Sequence, residues 1–208
     1  MGGRADPYSI EPEGQTNRAW LFHEQRRGFN PDRTGKRKEL EVGLAGADSF
    51  VGLPLVAGFK SSPTRVIVQI HGSAFRIRAK DLVRVLAQCP RLERRMQQHS
   101  QQMSLQSTQI AACNQLHYVS QRLTRWLLMS HDRIGGDAVG LTQESLALIL
   151  GTRRASVTVA MGALQKAGLI SYTRRAVRIE DRAGLKLATC ECYATIKRQS
   201  DIWDSESV

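Results

Sequence analysis

The chain has 208 residues and a formal net charge of +11, from 30 Lys and Arg against 19 Asp and Glu. Such an excess of positive charge attracts polyanions and favours nucleic acid as a partner. No stretch is long and apolar enough to span a bilayer, and the N-terminal residues lack the apolar core of a secretory signal. We therefore expect a cytoplasmic location and no membrane partner.

The N-terminal residues 1–35 show little periodicity and contain three of the six prolines. The stretch from Asn17 to Lys38 fits neither a pair of strands nor a long helix. We interpret residues 1–35 as a poorly ordered or atypical segment.

The next part of the chain, residues 36–88, alternates apolar and polar residues between glycines, which predicts the short strands and turns of a partial β-roll. The clearest strands are residues 66–70 and 74–77, and a short helix follows over Asp81–Gln88. Apolar residues three or four apart then predict one long helix over 91–129, within a connecting segment 89–130. The alternative is a core helix packed on its own β-roll.

Residues 141–168 have the pattern of two helices joined by a tight turn. Thr142 can cap the first helix, and Gly151 can adopt the positive φ that ends it. The second helix is predicted from Arg153 to Ala167, with apolar residues such as Val157 at helical spacing. Such a turn is short enough for the second helix to enter a DNA major groove, although similar helix pairs also occur in helical bundles.

A basic hairpin after the second helix favours the DNA-binding interpretation. Between residues 150 and 182 there are seven Lys and Arg against two acidic residues. Arginine at the start of a recognition helix can bind guanine, and short hydroxyls suit phosphate oxygens. The predicted DNA-contacting residues are Thr142, Arg153, Arg154, Ser156, Thr158, Arg174, Arg175 and Arg178. We thus predict an α+β chain with a winged helix-turn-helix over 131–199 and a tail over 200–208.

The motifs of this region are similar to the C-terminal domain of the Crp/Fnr superfamily of bacterial transcription regulators. The likeness extends more weakly upstream, through residues 113–135 and 41–77, and covers residues 36–195 in all. The motifs that carry it are LTQE (Leu141–Glu144), LGTRRASVT (Leu150–Thr158), GALQKAGLI (Gly162–Ile170) and DRAGLKLATCECY (Asp181–Tyr193).

The resemblance implies a cyclic-nucleotide-binding-like jelly roll, a long helix that forms the dimer interface, and a winged helix-turn-helix. Of the family's base-reading residues only Arg154 carries over, because Ala155 and Val159 stand where the pattern has Glu and a second Arg. The family's best-known operator is therefore not predicted.

The nucleotide anchors of the family are absent from this sequence. Gly52 is followed by Leu53 instead of the Glu that holds the ribose, and no arginine precedes Ser62-Pro63-Thr64 to hold the phosphate. Loss of both removes two charge-assisted hydrogen bonds, so we predict no tight binding of cyclic nucleotide. A complete roll would also need several strands before residue 36, and we predict that the first three or four are missing.

The cysteines and histidines form no motif of a metal or catalytic site. Cys89, Cys113, Cys190 and Cys192 are scattered, and Cys190-x-Cys192 is a poor chelate on its own. We therefore predict inert thiols, no metal or other cofactor, and no iron–sulfur cluster. Since no nucleophile elbow, phosphate-binding loop or dinucleotide fingerprint occurs either, we do not expect an enzyme.

Two functions remain open from the sequence. The first is a sequence-specific DNA-binding regulator that acts as a homodimer on a roughly palindromic site of double-stranded DNA. Its effector is unknown, and RNA polymerase is a candidate partner. The alternative is a truncated, interaction-only relative that hetero-dimerises with full-length regulators and titrates them.

Overall fold

The computed structural model describes residues 21–27, 39–47, 49–70, 74–134, 136, 138–173 and 176–206. None of the helices in these ranges is long and apolar enough to cross a bilayer. The elements confirm the predicted α+β class. In chain order they are β1 (Leu21–Arg27), β2 (Glu39–Ala45), a 3-10 turn (Leu53–Leu55), β3 (Thr64–Ile70), α1 (Ala79–Gln88), α2 (Pro90–Leu116), α3 (Val119–Ile134), β4 (Ala138–Val139), α4 (Gln143–Ile149), α5 (Arg154–Lys166), β5 (Ile170–Thr173), β6 (Ala176–Ile179), α6 (Arg182–Ala188) and α7 (Glu191–Ser205).

The first sheet is antiparallel, with β1 between β2 and β3. The expectation that the stretch from Asn17 to Lys38 fits no pair of strands is therefore wrong for β1, while residues 1–20 and 28–38 lie outside the described part of the chain. The strand predicted over 66–70 is confirmed within β3. The strand predicted over 74–77 is wrong: residues 74–78 are all exposed and form no strand. A half-buried strand needs one buried face. Because no side chain of this segment is buried, its alternation of apolar and polar residues does not reflect such a face.

Helix α2 covers the open edge of this sheet at β2. The backbone N–H of Leu44 donates to Gln106 Oε1 over 3.0 Å, and Gln106 Nε2 donates to the Leu44 carbonyl over 3.1 Å. Ser107 Oγ donates to the Val42 carbonyl over 2.6 Å. An edge strand presents unpaired backbone groups, and here a side-chain amide satisfies one donor and one acceptor as a further strand would.

The helix predicted over 91–129 is wrong as a single element, because it breaks between α2 and α3. The backbone of His117 is extended (φ −117°, ψ 150°) and ends α2. The Tyr118 N–H then donates to Gln121 Oε1 over 3.2 Å, so a local side chain satisfies an amide that a continuous helix would bond itself. Apolar spacing continues through the break, which is why periodicity alone predicted one helix.

Helix α3 is the centre of the molecule. Its nine consecutive residues Arg122–Ser130 are all buried, and the helix contacts β1, β2, α5, α6 and α7. Trp126 is fully buried in the main apolar core and donates its indole N–H to Glu41 Oε2 over 2.9 Å. A helix buried on every face must lie between other elements, and α3 joins the β2 strand to the C-terminal helices.

The C-terminal elements close around α3. Arg182 Nη2 donates to Asp132 Oδ1 over 2.5 Å, and the Tyr193 hydroxyl donates to Asp132 Oδ2 over 2.9 Å. Burial and the Asp132 carboxylate raise the pKa of Tyr193 to about 12, so the phenol stays protonated and keeps this bond. Helix α7 runs to Ser205, so the predicted tail over 200–208 is helical through residue 205.

We expect Gln106→Leu to lower the free energy of unfolding by about 1–3 kcal/mol, because it leaves the Leu44 N–H and carbonyl without partners. Urea denaturation followed by circular dichroism measures the change. Gln101→Leu, at an exposed position of the same helix, is the matched control and should have little effect. Equal losses in the two variants would contradict a specific role for the amide.

Candidate DNA-binding interface

The helix-turn-helix consists of α4, the turn at residues 150–153, and α5. Thr142 Oγ1 accepts a hydrogen bond from the Ser145 N–H over 3.1 Å, which confirms the predicted cap of α4. Gly151 has φ +58°, and a Cβ added there would lie 2.4 Å from Leu40 Cδ1. The turn therefore favours glycine for its backbone conformation, whereas the exposed Leu40 side chain could move aside for a Cβ.

Helix α5 buries one face and exposes the other. Val157, Ala160, Met161 and Leu164 lie in the core against α3 and α4. Arg153, the residue directly before the helix, is exposed. The exposed residues of α5 are Arg154, Ala155, Thr158, Val159, Gly162, Ala163, Gln165 and Lys166. The part of this surface formed by Arg154, Ala155, Thr158, Val159 and Gly162 is here called the reading face. It is basic at the helix N-terminus and becomes small and apolar towards Gly162, and Lys166 follows it at the end of the helix.

The N-terminal turn of α4 holds the reading face through two side-chain contacts. Glu144 Oε1 pairs with Arg154 Nη1 at 2.8 Å, and the Thr158 hydroxyl donates to Gln143 Oε1 over 2.8 Å. Gln143 and Glu144 thereby join the candidate site, and the sequence did not single them out because these contacts depend on how the two helices cross. The motif LTQE places Gln143 and Glu144 directly after the Thr142 cap, and this was the signal in the sequence that could have identified them.

Not all of the predicted α5 contacts share this face. Ser156 is half-buried and lies on the flank of the helix, about 120° around the axis from the centre of the reading face. Val159 is 74% exposed where the Crp/Fnr pattern has arginine. An apolar side chain there cannot bind guanine but can contact a thymine methyl group.

The wing is a three-stranded antiparallel sheet in the order β4-β6-β5. Val177 and Ile179 of β6 are buried in the core, whereas Arg178 is exposed between them and pairs across the sheet with Ser171. Neighbours across an antiparallel pair point to the same face, so the outer face of the wing carries Arg178. The predicted contacts Arg174 and Arg175 lie outside the described residues.

The comparisons with known proteins agree with this geometry. Residues 121–188 match the family model of the Crp-like helix-turn-helix domain. In a comparison with curated proteins, no sequence matches this chain.

Several solved structures share the fold. One is a putative transcriptional regulator of the Crp/Fnr family from Eubacterium rectale, with TM-score 0.61 and 13% identity over 83% of this chain and 80% of that one. A Crp/Fnr-family regulator from Thermus thermophilus has TM-score 0.51 and 18% identity over 83% and 87%. The c-di-GMP-responsive global regulator CLP of Xanthomonas campestris has TM-score 0.53 and 19% identity over 79% and 85%.

Residues 121–188 are therefore a Crp-like helix-turn-helix domain, and the chain as a whole has the fold of Crp/Fnr regulators. The resemblance that the sequence motifs indicate is confirmed. A helix-turn-helix of this type is a DNA-binding fold, and the likeness to the solved Crp/Fnr regulators, at 13%, 18% and 19% identity, is a likeness of fold.

Proposed function

We propose that this protein binds a roughly palindromic duplex DNA site as a homodimer and regulates transcription from it. The observation that carries the proposal is the exposed, basic N-terminal half of α5, held by contacts with α4 in a Crp-like domain. The N-terminal residues of a recognition helix are those that reach base edges in the major groove.

The DNA contacts divide into one base reader and several phosphate contacts. Arg154 lies on the reading face, where it pairs with Glu144 of α4. Arg178 lies on the outer face of the wing, and Thr142 is exposed at the N-terminus of α4, where helix amides favour an anion. We assign Arg154 to a guanine, and Arg153, Thr142, Ser156, Thr158 and Arg178, with Arg174 and Arg175, to the phosphate backbone.

We expect Arg154→Ala to relax preference at one base pair of each half-site by about 1–3 kcal/mol, because it removes a two-point contact with guanine. Arg178→Ala should instead weaken binding to all sequences about equally and reduce the slope of log K against log salt by about one. Selection of bound sequences from random duplex DNA, followed by titrations of the selected site at several salt concentrations, measures both effects.

The two arginines serve as controls for each other, since each variant removes one positive charge. Identical behaviour of the variants would contradict the division into reader and phosphate contact. If the native chain selected no sequence and bound duplex DNA only weakly, the interaction-only alternative would be favoured.

Dimerisation is supported by the outward face of α2. Thr108, Ala112 and Leu116 are exposed and Leu105 is half-buried, and these residues recur three or four apart on the side opposite the buried Met103 and Ile110. Leu116 is 74% exposed. Small and apolar residues at this spacing suit a parallel helix pair, and a two-fold axis along it would place two α5 helices on successive major grooves about 34 Å apart.

We expect Ala112→Glu to convert a dimer to a monomer at micromolar concentration, because it places two carboxylates at the two-fold interface. Sedimentation velocity measures the change. Ala111→Glu introduces the same group one residue away, on an exposed part of α2 outside this stripe, and should leave the dimer intact. A native chain that sediments as a monomer would contradict the proposal.

Independence of cyclic nucleotides is supported by the region around Gly52. The cavity there is about 20 Å³ and is lined mainly by apolar residues, including Phe50, Leu53, Val66 and Met103. Ligand pockets for molecules of drug size are on the order of 300–1,000 Å³, so this cavity has room for about one water molecule.

We therefore expect calorimetric titration with cyclic AMP or cyclic GMP to give no binding heat, and the affinity for the selected DNA site to be the same with and without nucleotide. A dissociation constant in the micromolar range or below would contradict this. RNA polymerase as a partner and a cytoplasmic location stay predictions from the sequence.

A further inference from the structure

Three of the four cysteines, predicted from their spacing to be isolated, meet in the folded chain. Cys113 and His117 are one turn apart at the end of α2, while Cys190 and Cys192 flank the first residue of α7. The three sulfur atoms and a ring nitrogen of His117 all lie within 4.8 Å of one another. The cysteines are almost fully buried and His117 is half-buried.

Two distances inside this cluster are close to those between ligands of one tetrahedral ion. Cys113 Sγ lies 3.6 Å from Cys190 Sγ, and Cys192 Sγ lies 3.7 Å from His117 Nδ1. With Zn–S bonds of about 2.3 Å, a tetrahedral zinc ion separates two thiolate ligands by about 3.8 Å. An iron–sulfur cluster would need its four ligands further apart, because they surround several metal ions rather than one.

The surroundings of the cluster resemble the outer shell of a metal site. His117 Nε2 lies 3.2 Å from Glu191 Oε1, which leaves Nδ1 directed at the sulfur atoms as a ligand. A carboxylate that accepts from the far nitrogen of a ligating histidine fixes the ring and its tautomer. In addition, Gln109 Nε2 donates to Cys192 Sγ over 3.2 Å, a bond that a thiolate accepts more strongly than a thiol.

A buried cation also lies next to the cluster. Arg125 is 1% exposed, and its guanidinium interacts electrostatically with the Cys113 sulfur. Within the described ranges, neither Arg125 nor its buried neighbour Arg122 forms an ion pair with a carboxylate. Three thiolates and a neutral histidine around Zn²⁺ carry one net negative charge, which the Arg125 guanidinium would offset in the interior.

We propose that Cys113, His117, Cys190 and Cys192 form a structural zinc site. Four protein ligands leave no open position, as in structural rather than catalytic zinc sites. The ion would tie the end of α2 to the start of α7 at the point where the helix breaks before α3. It would therefore fix the C-terminal helix of the DNA-binding domain against the helix assigned to dimerisation. An effect of the ion on DNA binding rests on the proposed function.

The zinc content of the native chain is the first measurement. Protein purified without chelator should contain about one zinc per chain by mass spectrometry of the dissolved metal. Cobalt added to protein stripped of metal under reducing conditions should produce thiolate-to-cobalt charge-transfer bands and the strong d–d bands of a tetrahedral site. Both measurements use the protein without DNA, so their failure is distinct from a failure of the proposed function.

Matched variants assign the ligands. Cys190→Ser should abolish the one-to-one zinc content and the charge-transfer bands of the cobalt form, whereas Cys89→Ser, at an exposed cysteine outside the cluster, should change neither. Glu191→Gln keeps all four ligands and should lower zinc affinity about 10–100-fold, measured by competition with a chelating dye. This last variant changes an exposed residue and tests the site even if Cys190→Ser fails to fold.

Several results would overturn the proposal. Native protein that holds no zinc and gives no thiolate bands with cobalt would exclude the site. Iron with the visible absorption of an iron–sulfur cluster would show a different cofactor. A disulfide between Cys113 and Cys190 in protein that binds no metal after reduction would show a redox pair instead.

Discussion

The burial of α3 is the constraint on which the rest of the structure depends. Nine consecutive residues of one helix, Arg122–Ser130, are removed from water, which requires packing partners on every side. The strand β2 supplies one of them, where Glu41 accepts from Trp126, and the helices α5, α6 and α7 supply the others. The upstream sheet and the helix-turn-helix therefore share one core, and Leu44 of β2 belongs to it.

This shared core determines how the reading face is presented. Helix α5 packs Val157 and Met161 against the core, so its opposite side, with Ala155 and Val159, must face solvent, and Arg154 is exposed at the N-terminal end of the helix. Contact between β2 and the turn, where Leu40 meets Gly151, links the orientation of the helix pair to the upstream sheet. The upstream sheet and the helix pair are thus in direct packing contact through β2.

The sequence predicted best the elements whose pattern is local. The cap at Thr142, the turn glycine at Gly151 and the alternation around Val177 follow from short-range chemistry, and the structure has each of them. The sequence predicted the secondary structure poorly where its pattern was compatible with more than one kind of element. The strand at Leu21 lies in a stretch without clear periodicity, and the break at His117 interrupts an apolar spacing that continues on both sides.

The sequence by itself determined the α+β class, the positive charge and the winged helix-turn-helix, because these depend on composition and on residues within a turn or two of each other. Only the tertiary structure decided which side chains meet across long separations. Glu144 reaches Arg154 because two helices cross, and Cys113 reaches Cys190, 77 positions away, because α7 packs on α2. Spacing along the chain carries no information about such contacts, since they depend on how the elements pack around α3.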